Sequence, residues 1–379
     1  MKVVITGGGS GGHFYPLIAV ADKVFEVAQD RKMLTPEVHY LADDPYNETL
    51  LLRKGIQFHK IQAGKMRRYF SWRNVTDIFK SIAGVFTTIF LLFRLYPDII
   101  FTNGSYVSMP VLFAGRLLRI PVVIHTSDTV PGRALKYAGK FAQKISIAFP
   151  DAADHYREKD QDKIALLGNP IREEIKRPLS NGAHEFLELS RDIPTILVLG
   201  GSQGAQAMND VLVDTLPKLL LEYNVIHQCG KNNYESLQGH SDVVLFDHPF
   251  KSRYKLYPYL DDLAMRMSVG ASSLAIIRAG AGTISEVANW KLPSITIPIP
   301  GDISHDQESN AFAYARSGAS TVIKQGNLSA SILYSEIQRI MQDQQLWEQM
   351  SQSAEEFSRP DSSRKIAEEI LNIVQEHDA

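Results

Sequence analysis

The sequence predicts an α/β protein built from two doubly wound parallel sheets. Three observations carry that expectation. Apolar, β-rich runs alternate with helical patterns along the whole chain. Two strand–glycine–helix openings, ITGGGSGGH and VLGGSQGA, stand about 190 residues apart. The length, 379 residues, exceeds one ordinary core.

In chain order the first unit opens with KVVITG (2–7), followed by a helical pattern from about Pro16 to Ala28. VHYLA (38–42), DIIFTNG (98–104), PVVIHT (121–126) and KISIAF (144–149) follow as buried-strand candidates bounded by turn residues. The series restarts at TILVLGG (195–201) and continues through NVIHQCG (224–230), DVVLFD (242–247), SLAIIRAG (273–280) and PSITIPIP (293–300). The join is expected near ALLGNPIR (165–172). Ligands of open α/β sheets collect outside the carboxyl ends of the strands, so two such domains are expected to face one another across a cleft.

Composition narrows the class. A chain with 44% hydrophobic and 22% charged residues is globular, which excludes disordered, collagen-like and coiled-coil chains. The single cysteine, Cys229, excludes a disulfide framework and a multi-cysteine zinc site. The start MKVVITGGG has no apolar signal core, so a cytoplasmic protein is expected. Residues 1–170 carry 22 Lys and Arg against 15 Asp and Glu, and residues 171–379 carry 18 against 27. The basic half suits anionic lipid or a phosphorylated substrate; no zinc-finger or RNA-binding signature favours nucleic acid. IAGVFTTIFLLFRL, within 78–95, falls short of the about 20 apolar residues of a spanning helix. It follows the basic, aromatic run KMRRYFSWR (65–73), which includes Lys65, Arg67, Arg68, Tyr69, Phe70, Trp72 and Arg73. Two readings stand: a buried helix of the first domain, or a surface helix dipping into an anionic bilayer. They are compatible if one face is core.

Several motifs carry chemistry. Gly7, Gly9 and Gly12 match G-x-G-x-x-G after a strand, but no acid stands at the usual ribose position. Such a loop, with Gly11, Gly12 and His13, aims backbone N–H groups and a helix end at a phosphate or an alcohol oxygen. His13 is either a general base or a loop cap. In GGSQGA (200–205), Ser202 and Gln203 lie between glycines that leave amides open to phosphate; the alternative is a tight turn chosen for packing. In RAGAGTISE (278–286), Thr283 and Glu286 fit a capping box, or else the loop amides at Gly282 and Thr283 meet a diphosphate and Glu286 binds ribose hydroxyls. Asp306, Gln307 and Asn310 in GDISHDQESNA suit sugar hydroxyls. His305 beside Asp306 lacks a second ligand cluster, so no metal is expected. Arg172 of GNPIR is a phosphate clamp or a surface charge.

Together these stretches resemble one family across nearly the whole chain. GGGSGGHFYP, NGSYVSMP, VPGRALKYAGK, LGNPIR, GGSQGA, RAGAGTISEVA and DQESNA, in that order, resemble the MurG family of peptidoglycan synthesis. That family transfers N-acetylglucosamine from UDP-N-acetylglucosamine to undecaprenyl-pyrophosphoryl-muramyl-pentapeptide. The resemblance implies a GT-B fold. Residues 1–166 would form an acceptor and membrane-docking domain, and 167–359 a donor domain. A last helix, roughly Ser362–Glu376, would pack back on the first domain, within 360–379. It implies an inverting transfer to the acceptor 4-hydroxyl, with no cofactor, on the cytoplasmic face of the membrane.

By resemblance His13 is the base or an acceptor-site residue; for the base itself His13 is the first candidate, and Asp128, which stands where the family has an amide near the transferred sugar and acceptor, is the second. Arg172 and Ser202 meet the diphosphate, Thr283 the α-phosphate and Glu286 the ribose. Asp306, Gln307 and Asn310 read the sugar, and Leu260 meets uracil through its backbone. The implied partners are UDP-N-acetylglucosamine, the polyprenyl-pyrophosphate-linked muramyl peptide and an anionic membrane surface. The chain departs from the family at His125-Thr126-Ser127-Asp128, where His-Glu-Gln-Asn is common, and at Asn103-Gly104-Ser105-Tyr106, where Gly-Gly-Tyr is common. HPFKSRYKLYPYLDD (248–262) is longer than expected. These departures fall mainly on the acceptor side. Three other readings stand beside this one: a glycosyltransferase for another lipid acceptor, a nicotinamide-dependent oxidoreductase, and a non-catalytic nucleotide-sugar-binding scaffold.

Overall fold

The computed structural model describes residues 1–64, 72–201, 205–304 and 306–378, with side chains of 72–82 and 377–378 outside the description. Ser202, Gln203 and His305, residues 65–71, and the side chains of Trp72 and Arg73 therefore lie outside the described residues. The chain divides into two compact units, Met1–Arg172 with Pro360–Ala379, and Glu173–Arg359.

Unit 1 holds β1 (Lys2–Thr6), β2 (Glu37–Ala42), β3 (Gln57–Lys60), β4 (Ile99–Thr102), β5 (Val122–Thr126), β6 (Lys144–Ile147) and β7 (Ile164–Leu166). Its helices are α1 (Gly11–Asp30), α2 (Glu48–Arg53), α3 (Trp72–Leu95), α4 (Ser108–Leu117) and α5 (Arg133–Ala138). Unit 2 holds β8 (Thr195–Leu199), β9 (Asn224–Gln228), β10 (Tyr254–Tyr257), β11 (Ser272–Ile277), β12 (Ser294–Thr296) and β13 (Ser320–Val322). Its helices are α6 (Ala183–Phe186), α7 (Gln206–Leu219), α8 (Tyr234–Val244), α9 (Asp262–Ala271), α10 (Ala281–Asn289), α11 (Gln307–Arg316), α12 (Ala330–Met341) and α13 (Gln344–Phe357). The last helix, α14 (Ser362–Asp378), belongs to unit 1.

Both sheets are parallel throughout, in the orders β3-β2-β1-β4-β5-β6-β7 and β10-β9-β8-β11-β12-β13. Central strands such as β5 and β8 are buried at every residue, which is why they read as continuous apolar runs. Strand order reverses beside β1 and beside β8, so each unit has its crevice at the turn that follows that strand.

Three expectations are corrected. DVVLFD (242–247) is not a strand: α8 runs through Val244, Leu245 is fully buried, and Val243 and Phe246 face solvent. Helix α1 begins at Gly11 rather than near Pro16, which lies inside it. The first unit continues past 166 to Arg172, because the N–H groups of Leu167 and Gly168 donate to the Ile147 carbonyl and Asn169 bonds His125.

Helix α14 closes the first core. Its buried stripe, Ile366, Ile370, Ile373 and Val374, has helical spacing and joins the cluster that contains Leu17, Val20 and Val24 of α1. Arg364 bridges Glu26 at 2.9 Å and Asp30 at 2.8 Å on the outer edge. These exposed pairs add little beside the apolar burial.

In unit 2 the segment before α6 crosses α9 in close contact. A Cβ on Gly270 would stand 2.0 Å from the Leu179 carbonyl oxygen, a backbone atom that cannot swing away. Gly270→Ala is expected to cost about 2–3 kcal/mol and to lower the melting temperature, measured by differential scanning calorimetry.

Candidate functional site

In unit 1 the turn between β1 and α1 is pinned from both neighbouring strands. Tyr40 of β2 donates from its hydroxyl to the Gly7 carbonyl at 2.7 Å, and Asn103, just past β4, donates through Nδ2 to the His13 carbonyl at 2.6 Å. Burial and the nearby Asp43 and Asp44 push the Tyr40 phenol up, so it remains a neutral donor. A side chain at Gly7 would come within 2.5 Å of Asn103 Oδ1, so the approach of the two turns requires glycine there. Asn103 is 1% exposed and its Oδ1 has no hydrogen-bond partner.

His13 is the third residue of α1; its N–H donates to Ser10 O at 3.2 Å and its side chain is half-buried. Gly11 and Gly12 open the helix, and their first-turn amides point outward from its amino end. Arg172 stacks its guanidinium 4.7 Å from the Tyr15 ring, on the same helix as His13. Tyr106, which donates to Asp43 at 2.7 Å, joins this edge of the sheet.

His125 closes the far side of that edge. Its imidazole is wholly buried, with Nδ1 3.0 Å from Ser146 Oγ and Nε2 2.9 Å from Asn169 Oδ1. Since Asn169 Oδ1 only accepts, Nε2 carries the proton and Nδ1 accepts from the serine. Burial pulls the imidazole down to about 4. His125 is thus a neutral structural post, and half-buried Asp128 follows it in the next turn.

In unit 2, Gly200 leaves β8 and donates its N–H to Gln228 O at 3.1 Å; Gly201 takes a left-handed φ of 78°. Asn209 of α7 donates to Cys229 O and faces His227 Nε2 at 3.1 Å, while His227 Nδ1 meets the Tyr254 hydroxyl at 2.9 Å. Burial holds His227 down to about 3. Gln228 also accepts the Leu260 N–H through Oε1 at 2.9 Å.

Helix α10 starts at the N-cap Gly280, which makes no side-chain capping bond. Thr283 is therefore the third helical residue and Glu286 lies in the interior, so the two do not form a capping box. Gly282 and Thr283 sit in the first turn, half-buried, where N–H groups lack intrahelical partners and the helix dipole favours an anion. Helix α11 follows the long 297–306 connection, with Asp306 at its N-cap. Gln307 Oε1 accepts from Ile299 N at 3.2 Å, which ties that connection to α11. Asn310 is fully buried and donates to Ala279 O at 3.3 Å. It holds the α10 turn instead of lining a surface.

Asn103, Tyr106, Gln228 and Arg278 escaped the sequence reading of the site. Arg278 left a signal, as a charged residue ending the apolar run SLAII. Among the described residues no group of three or more His, Cys, Asp or Glu side chains is placed to hold a metal ion.

Comparison with known proteins agrees over both units. Residues 3–147 match the family model described as the glycosyltransferase family 28 N-terminal domain, and residues 195–368 match the glycosyltransferase family 28 C-terminal domain. The chain is 32% identical, over 99% of its length and 98% of the relative's, to a Clostridium novyi protein. That protein is named UDP-N-acetylglucosamine–N-acetylmuramyl-(pentapeptide) pyrophosphoryl-undecaprenol N-acetylglucosamine transferase. A Bacillus cereus protein with the same name, numbered 2, is 33% identical over 91% of this chain and 93% of its own. The crystal structure of Acinetobacter baumannii MurG superposes with a TM-score of 0.73 at 26% identity, covering 98% of this chain and 99% of that one. An S. aureus MnaA–UDP co-structure, 14% identical with a TM-score of 0.69 and covering 98% of this chain and 97% of that one, shares the fold.

The buried imidazoles give the structure a pH signature. Below the ordinary histidine pKa of 6.5 the unfolded chain takes up protons that folded His125 refuses, so stability falls as pH drops from 6.5 toward about 4. The expected loss from His125 alone is about 2 kcal/mol by pH 5, read from urea unfolding at pH 7.5 and 5. An NMR titration in which the His125 ring protonates near pH 6.5 with the fold intact would refute this.

Proposed function

Because this chain belongs to the UDP-N-acetylglucosamine–N-acetylmuramyl-(pentapeptide) pyrophosphoryl-undecaprenol N-acetylglucosamine transferase family, we propose that it moves N-acetylglucosamine onto the lipid-linked muramyl acceptor. It is a glycosyltransferase, and its two parallel-sheet units are those of the GT-B class. The observation that carries the reading is the relationship over 99% of the chain, which spans both units.

The proposed reaction is a single in-line displacement. The acceptor 4-hydroxyl attacks the anomeric carbon, UDP leaves, and the configuration inverts. The base must reach that hydroxyl within about 3 Å, directly or through one water. His13 takes this role, since it is half-buried at the amino end of α1 where a neutral imidazole can accept a proton. Asp128 is the second candidate.

UDP leaves with added negative charge. The first turn of α10 at Gly282 and Thr283, the Ser202–Gln203 loop, and Arg172 are assigned to that charge. Preorganised donors of this kind supply about 3 kcal/mol each. Glu286 is assigned to the ribose hydroxyls, and the Leu260 carbonyl to the uracil N3–H. Asp306 and Gln307 are assigned to the sugar, with Asn310 acting through the Ala279 carbonyl.

We further propose a peripheral seat on an anionic membrane. Among the described residues no helix is long and apolar enough to cross a membrane. Helix α3 instead splits its apolar residues between two faces. Thr88 and Leu92 are buried, whereas Phe86, Phe90 and Phe93 are 68–69% exposed. Helix α4, packed beside it, adds exposed Phe113, Leu117 and Arg116, and Arg94 and Arg119 flank the patch. Each phenylalanine withdrawn from water contributes about 2 kcal/mol, and the arginines suit lipid phosphates.

Two measurements test these proposals. UDP release from UDP-N-acetylglucosamine should require the lipid-linked muramyl acceptor, and His13→Ala should slow it at least about 100-fold. Near-normal turnover by H13A would transfer the base role to Asp128. The double substitution F86S and F90S should abolish co-sedimentation with phosphatidylglycerol vesicles while leaving UDP affinity unchanged; retained vesicle binding would remove the patch from the docking face.

A further inference from the structure

The turn that opens α10 contains a cation that has no counter-ion among the described residues. Arg278, immediately after β11, is only 7% exposed. Its guanidinium donates to the carbonyls of Ile297 at 2.9 Å and Pro298 at 3.4 Å, and to Gln325 Oε1 at 2.8 Å. All three partners are neutral, and Nε has no partner. Among the described residues no carboxylate forms an ion pair with it. Burial lowers the group only to about 10, so it stays charged at neutral pH.

A buried arginine is ordinarily matched by a carboxylate, because taking a charge out of water costs more than neutral hydrogen bonds return. Holding the β12 and β13 ends together would not by itself require a charge; a neutral donor reaches carbonyls as well. Two residues later Gly280 begins α10 without a side-chain cap, so the positive end of the helix dipole lies in the same turn. Both sources of positive potential therefore sit in one strand-to-helix connection, and among the described residues no carboxylate pairs with the arginine.

We infer that Arg278 is a positioning residue of the donor site, whose buried charge is balanced by the diphosphate of the bound nucleotide and whose fork anchors the 297–306 connection. This rests on the reading that unit 2 binds the UDP-sugar. The geometry gives Arg278 two coupled effects. Its field adds to that of the α10 amino end and favours ligands in proportion to phosphate charge. Its bonds to Ile297 and Pro298 fix the start of the segment that leads to Asp306 and Gln307.

The test compares UDP with uridine, which share the base and ribose but differ in phosphate charge. Affinities of wild type, Arg278→Met and Arg278→Lys are measured by calorimetry and competition. R278M should weaken UDP at least about tenfold while uridine changes less than about twofold, and R278K should keep UDP within about threefold of wild type. Donor KM should follow UDP affinity, and acceptor KM should not move. Equal weakening of UDP and uridine would reduce Arg278 to a packing clamp and overturn the inference, as would unchanged UDP affinity in R278M. If R278M does not fold, R278K decides: retained preference for UDP over uridine supports the inference, and loss of that preference overturns it. Wild type that fails to bind UDP overturns the donor assignment itself, a failure seen without any variant.

Discussion

The structure depends on keeping buried polar groups neutral at the carboxyl edges of two parallel sheets. His125 in unit 1 and His227 in unit 2 are both fully enclosed, with both ring nitrogens hydrogen-bonded to uncharged partners. Each leans on an asparagine, Asn169 or Asn209, that belongs to a neighbouring segment. An enclosed polar group without partners would cost several kcal/mol, so these networks lock the turns that leave the sheet. Rigid turns in turn present backbone amides at fixed positions, which is what a preorganised anion site requires.

Against that neutral background the charged groups of the two units differ in kind. In unit 1, Arg172 lies over an aromatic ring beside the His13 helix, and the exposed arginines surround a phenylalanine patch. In unit 2, Arg278 is enclosed and, among the described residues, bonded only to oxygens of amides. The described Lys and Arg side chains of the first half lie at or near its surface, while one cation in the acidic second half sits inside a turn.

Which strands were legible in the sequence follows from burial. The central strands, buried on both faces, appear as unbroken apolar runs such as TILVL and VVIHT. The four strands that escaped the sequence reading, β3, β7, β10 and β13, are the four sheet edges. Their sequences, QFHK, IAL, YKLY and STV, are short and mostly half-buried or exposed, so no periodicity marks them. DVVLFD misled for the opposite reason: it has strand composition, but Leu245 enters the core with Val244 packed against it, while Val243 and Phe246 face solvent. The glycine motifs marked strand-to-helix turns because a Cβ cannot fit at positions such as Gly7. What motifs could not convey was hydrogen-bond direction. Only coordinates reveal that Asn310 bonds the Ala279 carbonyl, that Leu260 has given up its N–H, and that Thr283 comes too late to cap its helix.

The placement of α14 has a consequence for biosynthesis. Ile366, Ile370 and Val374 are core residues of a sheet whose first strand begins at Lys2. A ribosome that has released residues 1–172 has made every strand of that sheet but not the helix that seals it. The second unit, continuous in sequence, can complete its own core while the earlier-made one still exposes apolar surface along α1. The first unit thus stays open until residues 360–378 have followed the whole of the second.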